Sequence, residues 1–403
     1  MNTQDSNSEE SFQQRERLDR LMQFIAFDES NVKLLSEAIS LALALGDSSI
    51  CGEIQALVEK NGIQDPILFA HLGMFTMHLG DSGKALEYLD FAVAGGVSDV
   101  AVVYNLAYCY FVGRQFDKVI EITGELVGAN DMLEGRDYLL QARAYHYLEK
   151  FSEAISSLEL CHEKYSGNAE TFGVLALLKY EDGAVSDEVM TLSEKALSLD
   201  SSNIEARLAR GGAFFDLGLL DNAQLEYEKA ISDHPDSGRA WAGKGQIEFY
   251  NFNIQQAVLS LEKAVESMSD HIGTWHLLGW ANILRGEFSG AEDAFKRSLE
   301  LDRAFGESHG GLAAVYAHQA KTHKARRHIQ LAEKINANGF AVVYAKMILL
   351  NSDGKEKDAQ NLFRQAQNVY SEQLGATPKA LIDKRLKQLR TLENDKHKNQ
   401  RLH

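Results

Sequence analysis

Apolar residues recur along this 403-residue chain at helical spacing, and small residues recur among them with a period of 34 or 35 residues. A period of that length is typical of stacked helix pairs. Larger apolar residues such as Leu225 and Leu259 are expected to fill the space between neighbouring pairs. The small residues that mark the period are Ala223, Ala257, Ala291, Ala325 and Ala359, with Gly211, Gly245 and Gly279 twelve positions before the first three.

The recurring alanine and glycine positions predict close helix crossings, because two helices cannot approach each other over large side chains. No single pair buries its own apolar face, so the stability of the chain should be a sum of repeat and interface contributions. Three prolines in the whole chain leave few interruptions for helices. The pattern therefore predicts an all-α fold.

The positions within the period resemble the tetratricopeptide repeat (TPR). Two units carry the resemblance most fully. One contains Trp275, Leu278, Gly279, Ala291 and Phe295, and another contains Gly211, Phe214, Ala223, Tyr227, Ala230 and Pro235. The resemblance implies a TPR solenoid, an α-α superhelix of stacked antiparallel helix pairs, with about ten repeats over residues 32–372.

Both ends of the array are expected to carry a capping helix. Residues 1–11 are polar and are predicted to be disordered, and residues 12–31 are predicted to form the N-terminal cap through Leu18, Leu21 and Ile25. Residues 377–395 begin with a good helix start and carry an apolar stripe, which predicts the C-terminal cap. Residues 396–403 are expected to be frayed.

Composition and charge narrow the function classes. The net charge of −17 argues against general affinity for nucleic acid or anionic membrane. The cysteines Cys51, Cys109 and Cys161 have no metal-type spacing and are interpreted as buried packing residues. No phosphate loop, zinc-hydrolase motif or nucleophile elbow is present, so we expect no enzyme, cofactor or metal site, and a cytoplasmic location.

The resemblance also implies a concave groove lined by the first helix of each pair, which would bind a peptide or protein segment. Aromatic, methionine and arginine residues are enriched at the implied positions, as they are at recognition surfaces. An alternative interpretation is that some of the aromatics, Phe249 among them, pack against a neighbouring repeat. The expected groove residues are Met74, Met77, Tyr104, Tyr108, Arg136, Arg143, Tyr147, Arg239, Phe249, Tyr250, His276 and Trp280.

These features favour a noncatalytic protein-binding scaffold, or a chaperone-like adaptor, that acts as a monomer or weak homodimer. Two alternatives stay open. One is a regulator whose curvature changes when a peptide binds. The other is weak nucleic-acid binding through the basic C-terminal quarter, where Lys321, Lys324, Arg326 and Arg327 accumulate.

Overall fold

A computed structural model describes residues 4–127, 131–184, 186–335 and 339–367, and within these ranges the backbone forms helices and no strand. The chain divides into two compact units, Met1–Ser201 and Ser202–His403. The helices of the first unit are α1 (Gln4–Ile25), α2 (Val32–Ala44), α3 (Ser48–Asn61), α4 (Pro66–His78), α5 (Ser82–Ala94), α6 (Val100–Val112), α7 (Phe116–Leu126), a 3-10 helix (Asp131–Leu133), α8 (Arg136–Tyr147), α9 (Phe151–Lys164), α10 (Ala169–Glu181) and α11 (Ser186–Leu199).

The second unit continues the same alternation. Its helices are α12 (Ile204–Asp216), α13 (Leu220–Asp233), α14 (Gly238–Tyr250), α15 (Ile254–Ser267), α16 (Ile272–Arg285), α17 (Phe288–Leu301), α18 (Gly306–His318), α19 (Thr322–Ile335), α20 (Phe340–Ser352) and α21 (Glu356–Gln367).

The helices from α2 to α21 form ten consecutive pairs, five in each unit, which confirms the predicted repeat. Within each unit the second helix of a pair packs between its own first helix and the first helix of the next pair. First helices also contact each other directly, as α4 does α6 and α14 does α16. We call the surface formed by the first helices of a unit its first-helix face.

Local sequence signals set the helix boundaries. The side chains of Asp47, Asp65 and Asp81 each accept a hydrogen bond from the backbone N–H three residues later, which satisfies a donor that the first turn leaves free. In each of the ten turns that join the two helices of a pair, one residue has a positive φ. Six of these residues are glycine, which adopts that conformation without steric cost.

The small residues of the period allow close approach at the helix crossings. Phe295 of α17 is fully buried, and its ring lies where side chains on Gly279 of α16 and Gly311 of α18 would otherwise be. A Cβ atom at Gly279 or Gly311 would stand 2.7 or 2.4 Å from this ring. The two glycines therefore form the slot that the phenylalanine fills, and packing requires a small residue at Gly279, a position of the period.

The larger apolar residues between pairs differ in part from the expectation. Leu220, Val258 and Val265 are buried, but Leu225 and Leu259 are 48% and 50% exposed. The expectation that Leu225 and Leu259 fill the space between pairs is therefore wrong. Each lies two residues after an inward-facing alanine of the period, and two residues correspond to about 200° around a helix.

The N-terminal helix begins at Gln4, earlier than the predicted start at residue 12. Its Leu18, Leu21 and Ile25 are buried in the cluster that also contains Leu35 and Ile39 of α2. The predicted C-terminal cap over residues 377–395 and the tail over 396–403 lie outside the described residues.

Candidate functional site

Two tyrosines and two arginines meet on the first-helix face of the first unit. Tyr104 is half-buried on α6, and Tyr108, one turn later, is 43% exposed. Burial raises the pKa of Tyr104, and the charges of Arg136 and Arg143 on α8 lower it, which places both guanidinium groups near this ring. We call Tyr104, Tyr108, Arg136 and Arg143 the Tyr–Arg patch.

The Tyr–Arg patch continues onto the next pair through an ion pair. Arg143 Nη2 donates to Glu170 Oε1 of α10 at 2.9 Å, and the Glu170 side chain is 54% exposed. Arg136 is exposed. An acidic ligand would therefore meet Arg136 directly but would have to compete with Glu170 for Arg143, so the two arginines are not equivalent.

The methionines lie on the preceding pair of the same unit. Met74 and Met77 of α4 are both partly buried, and Met77 packs against the cluster that contains Leu106 and Ala107. Asn105 Nδ2 lies 2.8 Å from Met74 Sδ, which joins α4 to α6 beside Tyr104. Met74 therefore extends the edge of the Tyr–Arg patch, while Met77 mainly serves the core.

Tyr147 lies apart from the patch, in an aromatic group at the turn ends of α6 and α8. Its ring stacks on Phe116 with centroids 4.7 Å apart and meets Phe111 edge-on at 5.6 Å. Tyr147 is nevertheless 57% exposed, so one ring face is open to solvent. Beside it, His146 Nε2 lies 2.5 Å from Glu181 Oε2 of α10.

In the second unit, the three predicted residues on α14 differ in accessibility. Arg239 is exposed at the start of the helix, and Tyr250 is 40% exposed at its end. The Tyr250 ring meets Phe215 edge-on at 5.9 Å. Phe249 is partly buried and packs against the cluster of Leu261 and Leu278. Phe249 therefore agrees with the alternative interpretation, in which some of the aromatics pack against a neighbouring repeat.

His276 and Trp280 of α16 are held largely inside the second unit. Trp280 Nε1 donates to His276 Nε2 at 3.0 Å, and His276 Nδ1 lies 3.3 Å from Ser308 Oγ. The His276 ring also meets Phe295 and Phe305 edge-on. Burial lowers the pKa of His276 to about 4, so this imidazole is neutral near pH 7.

The structure adds aromatic residues that the sequence analysis did not select. The Trp280 ring is 5.8 Å from Tyr344 of α20 and 6.3 Å from Phe340, which is 54% exposed. Tyr344 lies two periods of 34 residues after His276, so the repeat register alone could have identified Tyr344 as a position on the first-helix face. His318 Nε2 lies 3.1 Å from the Tyr344 hydroxyl and completes this aromatic surface.

The described residues contain neither a metal-binding cluster nor an accessible thiol. In the ranges that the structure describes, no group of three His, Cys, Asp or Glu side chains could hold a metal ion. Cys51, Cys109 and Cys161 are free and buried, and burial raises the pKa of each thiol to about 11. Among the described helices none is both long and apolar enough to cross a bilayer.

Comparisons with known proteins found a family model, curated relatives and solved structures that are similar to parts of this chain. A family model described as tetratricopeptide repeat matches residues 208–271. BBSome complex member BBS4 of Bos taurus is 22% identical over 286 residues, which are 70% of this chain and 54% of BBS4, so the chain spans about half the length of that relative. Superkiller complex protein 3 of Mus musculus is 28% identical over 112 residues, 28% of this chain and 7% of that protein. A solved structure of Pseudomonas aeruginosa pilF shares 18% identity with a TM-score of 0.42, covering 51% of this chain and 94% of pilF.

Proposed function

Because this chain is a tetratricopeptide repeat protein and so a protein-interaction scaffold, we propose that it binds a segment of a partner protein on the first-helix face of its first unit. The observation that carries the proposal is the Tyr–Arg patch. Tyrosine and arginine give large contact areas and planar hydrogen bonding, which is why they dominate the energetics of many interfaces. The proposed role is noncatalytic, as an adaptor or chaperone-like subunit.

The partner segment is proposed to offer an apolar side chain beside a carboxylate. Tyr108 presents an exposed ring to the apolar group, and the exposed guanidinium of Arg136 can bind a carboxylate through two parallel hydrogen bonds. The Arg143–Glu170 pair limits how many acidic residues the partner segment can carry, because Glu170 repels a second carboxylate as the segment approaches. A segment with one acidic residue should therefore bind better than a run of acidic residues.

Membership in a larger assembly is a second element of the proposal. BBS4 is named as a member of the BBSome complex, and Superkiller complex protein 3 is named for a complex of its own. Both relatives support the proposal that this chain also acts as a subunit that holds other proteins together. The partner would then be a protein subunit, with no membrane contact required.

The test compares matched variants as baits in affinity capture from the native cell, followed by mass spectrometry. Tyr108→Ala combined with Arg136→Glu should lose a partner that the wild-type protein retains. Each anchor is expected to contribute about 2 kcal/mol when it is buried by the partner. Circular dichroism should show unchanged helicity, since both side chains are solvent-accessible.

The matched control replaces residues of the same unit on a second helix. Leu160→Ala with Glu163→Lys changes one exposed apolar residue and reverses one exposed charge on α9. This control should retain the partner. If the control loses the partner while the Tyr–Arg variant keeps it, binding on the first-helix face is ruled out.

A further inference from the structure

A cleft of about 490 Å³ opens between the second helices α5 and α7, across α6. Leu106 and Tyr110 of α6 line it, and each lies two residues from a tyrosine of the Tyr–Arg patch. Two residues correspond to about 200° around a helix, so the cleft lies on the opposite side of α6 from Tyr104 and Tyr108. Ligand binding in the cleft can therefore be separated from binding on the first-helix face.

The floor of the cleft is apolar. It is built from aliphatic side chains that are buried or half-buried, and it includes the turn between α5 and α6. The floor residues are Val93, Val97, Val103, Leu106 and Ile122. The volume falls in the range of about 300 to 1,000 Å³ that binding clefts occupy, so it has room for side chains of a ligand.

One side of the rim carries two hydrogen bonds that meet at the Tyr110 hydroxyl. The Tyr110 hydroxyl donates to Asp90 Oδ1 at 2.5 Å and accepts from Lys118 Nζ at 3.3 Å. The same ammonium lies 4.4 Å from the centroid of the Tyr110 ring. Burial raises the pKa of Tyr110 to about 12, and the charges of Asp90 and Glu121 act in the same direction. A cation is therefore already favoured at this rim, and the chain supplies one.

The other side of the rim has carboxylates that no described residue neutralises. Glu121 and Glu125 are exposed on α7, one helical turn apart, and both line the cleft. Neither forms an ion pair with any residue in the described part of the chain. The rim therefore has an excess of two negative charges, because it contains three carboxylates (Asp90, Glu121 and Glu125) and one ammonium group (Lys118).

From this arrangement we propose that the cleft binds a basic amphipathic segment of a partner protein, in which an aliphatic side chain lies next to a lysine or arginine. The aliphatic group fills the floor of Val93, Val97 and Ile122. The cationic group reaches Glu121 and Glu125, with its apolar stem along the wall of the cleft. The chain then has two binding surfaces of opposite preference, because the Tyr–Arg patch favours a ligand that carries a carboxylate.

The probe for this cleft is a fluorescein-labelled, amidated hexapeptide of alternating leucine and lysine. Fluorescence anisotropy at low ionic strength should show saturable binding to the full chain. Glu121→Gln combined with Glu125→Gln should weaken binding about tenfold, because two exposed ion pairs are lost. Ser98→Trp should weaken it by about tenfold or more, since the indole occupies the cleft without changing its charge, whereas Ser98→Ala should bind like the wild type.

The net charge of −17 requires a control for nonspecific attraction. Glu262→Gln with Glu266→Gln removes the same charge at the same four-residue spacing on α15 of the second unit, and it should leave the affinity unchanged. A hexapeptide with glutamate in place of lysine should show no binding that depends on Glu121 and Glu125. Equal weakening by both glutamine pairs, or no saturable binding by the wild type, would overturn the proposal.

Tyr108→Ala separates this proposal from the proposed function. Its affinity for the lysine peptide should equal that of the wild type, because Tyr108 lies on the far side of α6. Suppose that Tyr108→Ala weakens binding and that Glu121→Gln combined with Glu125→Gln does not. The peptide then occupies the first-helix face, and the cleft assignment is overturned. Loss of native partners from the Tyr–Arg variant, tested separately, bears only on the first-helix face.

Discussion

At the scale of single residues, the same repeat position serves different purposes in successive pairs. Trp241 and Trp275 each donate from Nε1 to a backbone oxygen six residues earlier, in the turn before the helix. Arg207 occupies the equivalent position one period before Trp241, and its Nη1 donates to buried Glu226 Oε2 at 3.0 Å. A buried carboxylate needs such partners, since an unpaired charge in the interior is costly.

His276 makes the stability of the second unit depend on pH. Its pKa is about 4 in the folded state, below the value of about 6.5 in an unfolded chain. Between these pH values the unfolded chain binds more protons, so stability rises with pH and is lost as the pH falls. The imidazole should contribute on the order of 3 kcal/mol to this loss between pH 6.5 and 4.

Urea unfolding of the wild type and of His276→Gln at both ends of this range measures the contribution. The wild type should lose more stability than the variant on acidification, because glutamine does not titrate. The other histidines and the carboxylates are common to both proteins and cancel in the comparison. Parallel pH profiles would show that His276 is not held neutral by burial.

The alanine period can be tested by overpacking. Ala291 of α17 is fully buried, so Ala291→Leu should cost about 1 to 3 kcal/mol in the free energy of unfolding. Ala304→Leu makes the same change at an exposed position of the same unit and should have little effect. Thermal unfolding followed by circular dichroism compares them, and equal melting temperatures would contradict the register of the repeat.

At the scale of the elements, the turn within each pair shows a local rule and its exceptions. Glycine has the positive φ in six turns, but Arg114, Glu149, Phe252 and Ala320 adopt it in the other four. For a residue with a Cβ atom, that conformation is about 1 to 2 kcal/mol less favourable than the right-handed one. The chain therefore contains four turns whose sequence is not optimal for the backbone they adopt.

Phe252→Gly should stabilise the protein by about 0.5 to 1 kcal/mol. The gain from relieving the φ of 60° is partly offset by the greater freedom of glycine in the unfolded chain. Phe252 is 78% exposed, so little burial is lost. Phe27→Gly is the matched control, because Phe27 is 90% exposed and is not among the residues with positive φ. Denaturant unfolding should show a gain only for Phe252→Gly, and destabilisation by both would argue against turn strain.

The sequence predicts the helix pairs well because the period acts through local packing. In the slot around Phe295, Gly279 stands at the glycine position of the period, whereas Gly311 lies two residues before the equivalent position, Ala313. The groove residues were harder to assign, because a position on a first helix does not determine how deep its side chain lies. Tyr108 is 43% exposed, whereas Trp280 at the same repeat position is partly buried against Phe295 and Tyr344.

The cleft beside α7 shows a second limit of sequence reasoning. Its rim combines Asp90 of α5 with Glu121 and Glu125 of α7, which are about 30 residues apart in the chain. The period brings these helices together through its buried alanines, but the exposed positions of the second helices, such as Glu121 and Glu125, carry no repeat signal. Recognition surfaces in repeat proteins are made of such variable positions, and each must be read from the packed structure.

At the scale of the whole molecule, each helix pair depends on its neighbours to cover its apolar surface. At the N-terminal end, α1 covers the first pair through Leu18, Leu21 and Ile25. At the last described pair, Met347 of α20 and Phe363 of α21 line an open cleft of about 310 Å³. Phe363 is 38% exposed, so apolar surface remains where a further element would pack.

Removal of residues 377–403 tests whether the C-terminal segment covers this surface. The segment carries Leu381, Ile382, Leu386 and Leu389 at helical spacing, so we expect it to pack on α20 and α21. The second unit of the truncated protein should melt at a lower temperature than in the full chain. The truncated protein should also self-associate, because an uncovered apolar patch promotes association. Light scattering and thermal unfolding measure both effects. Replacing Phe363 with serine in the truncated protein should reduce self-association, since it removes the exposed aromatic ring of this cleft. A truncated protein that stays monomeric with an unchanged melting temperature would mean that another surface receives the C-terminal segment.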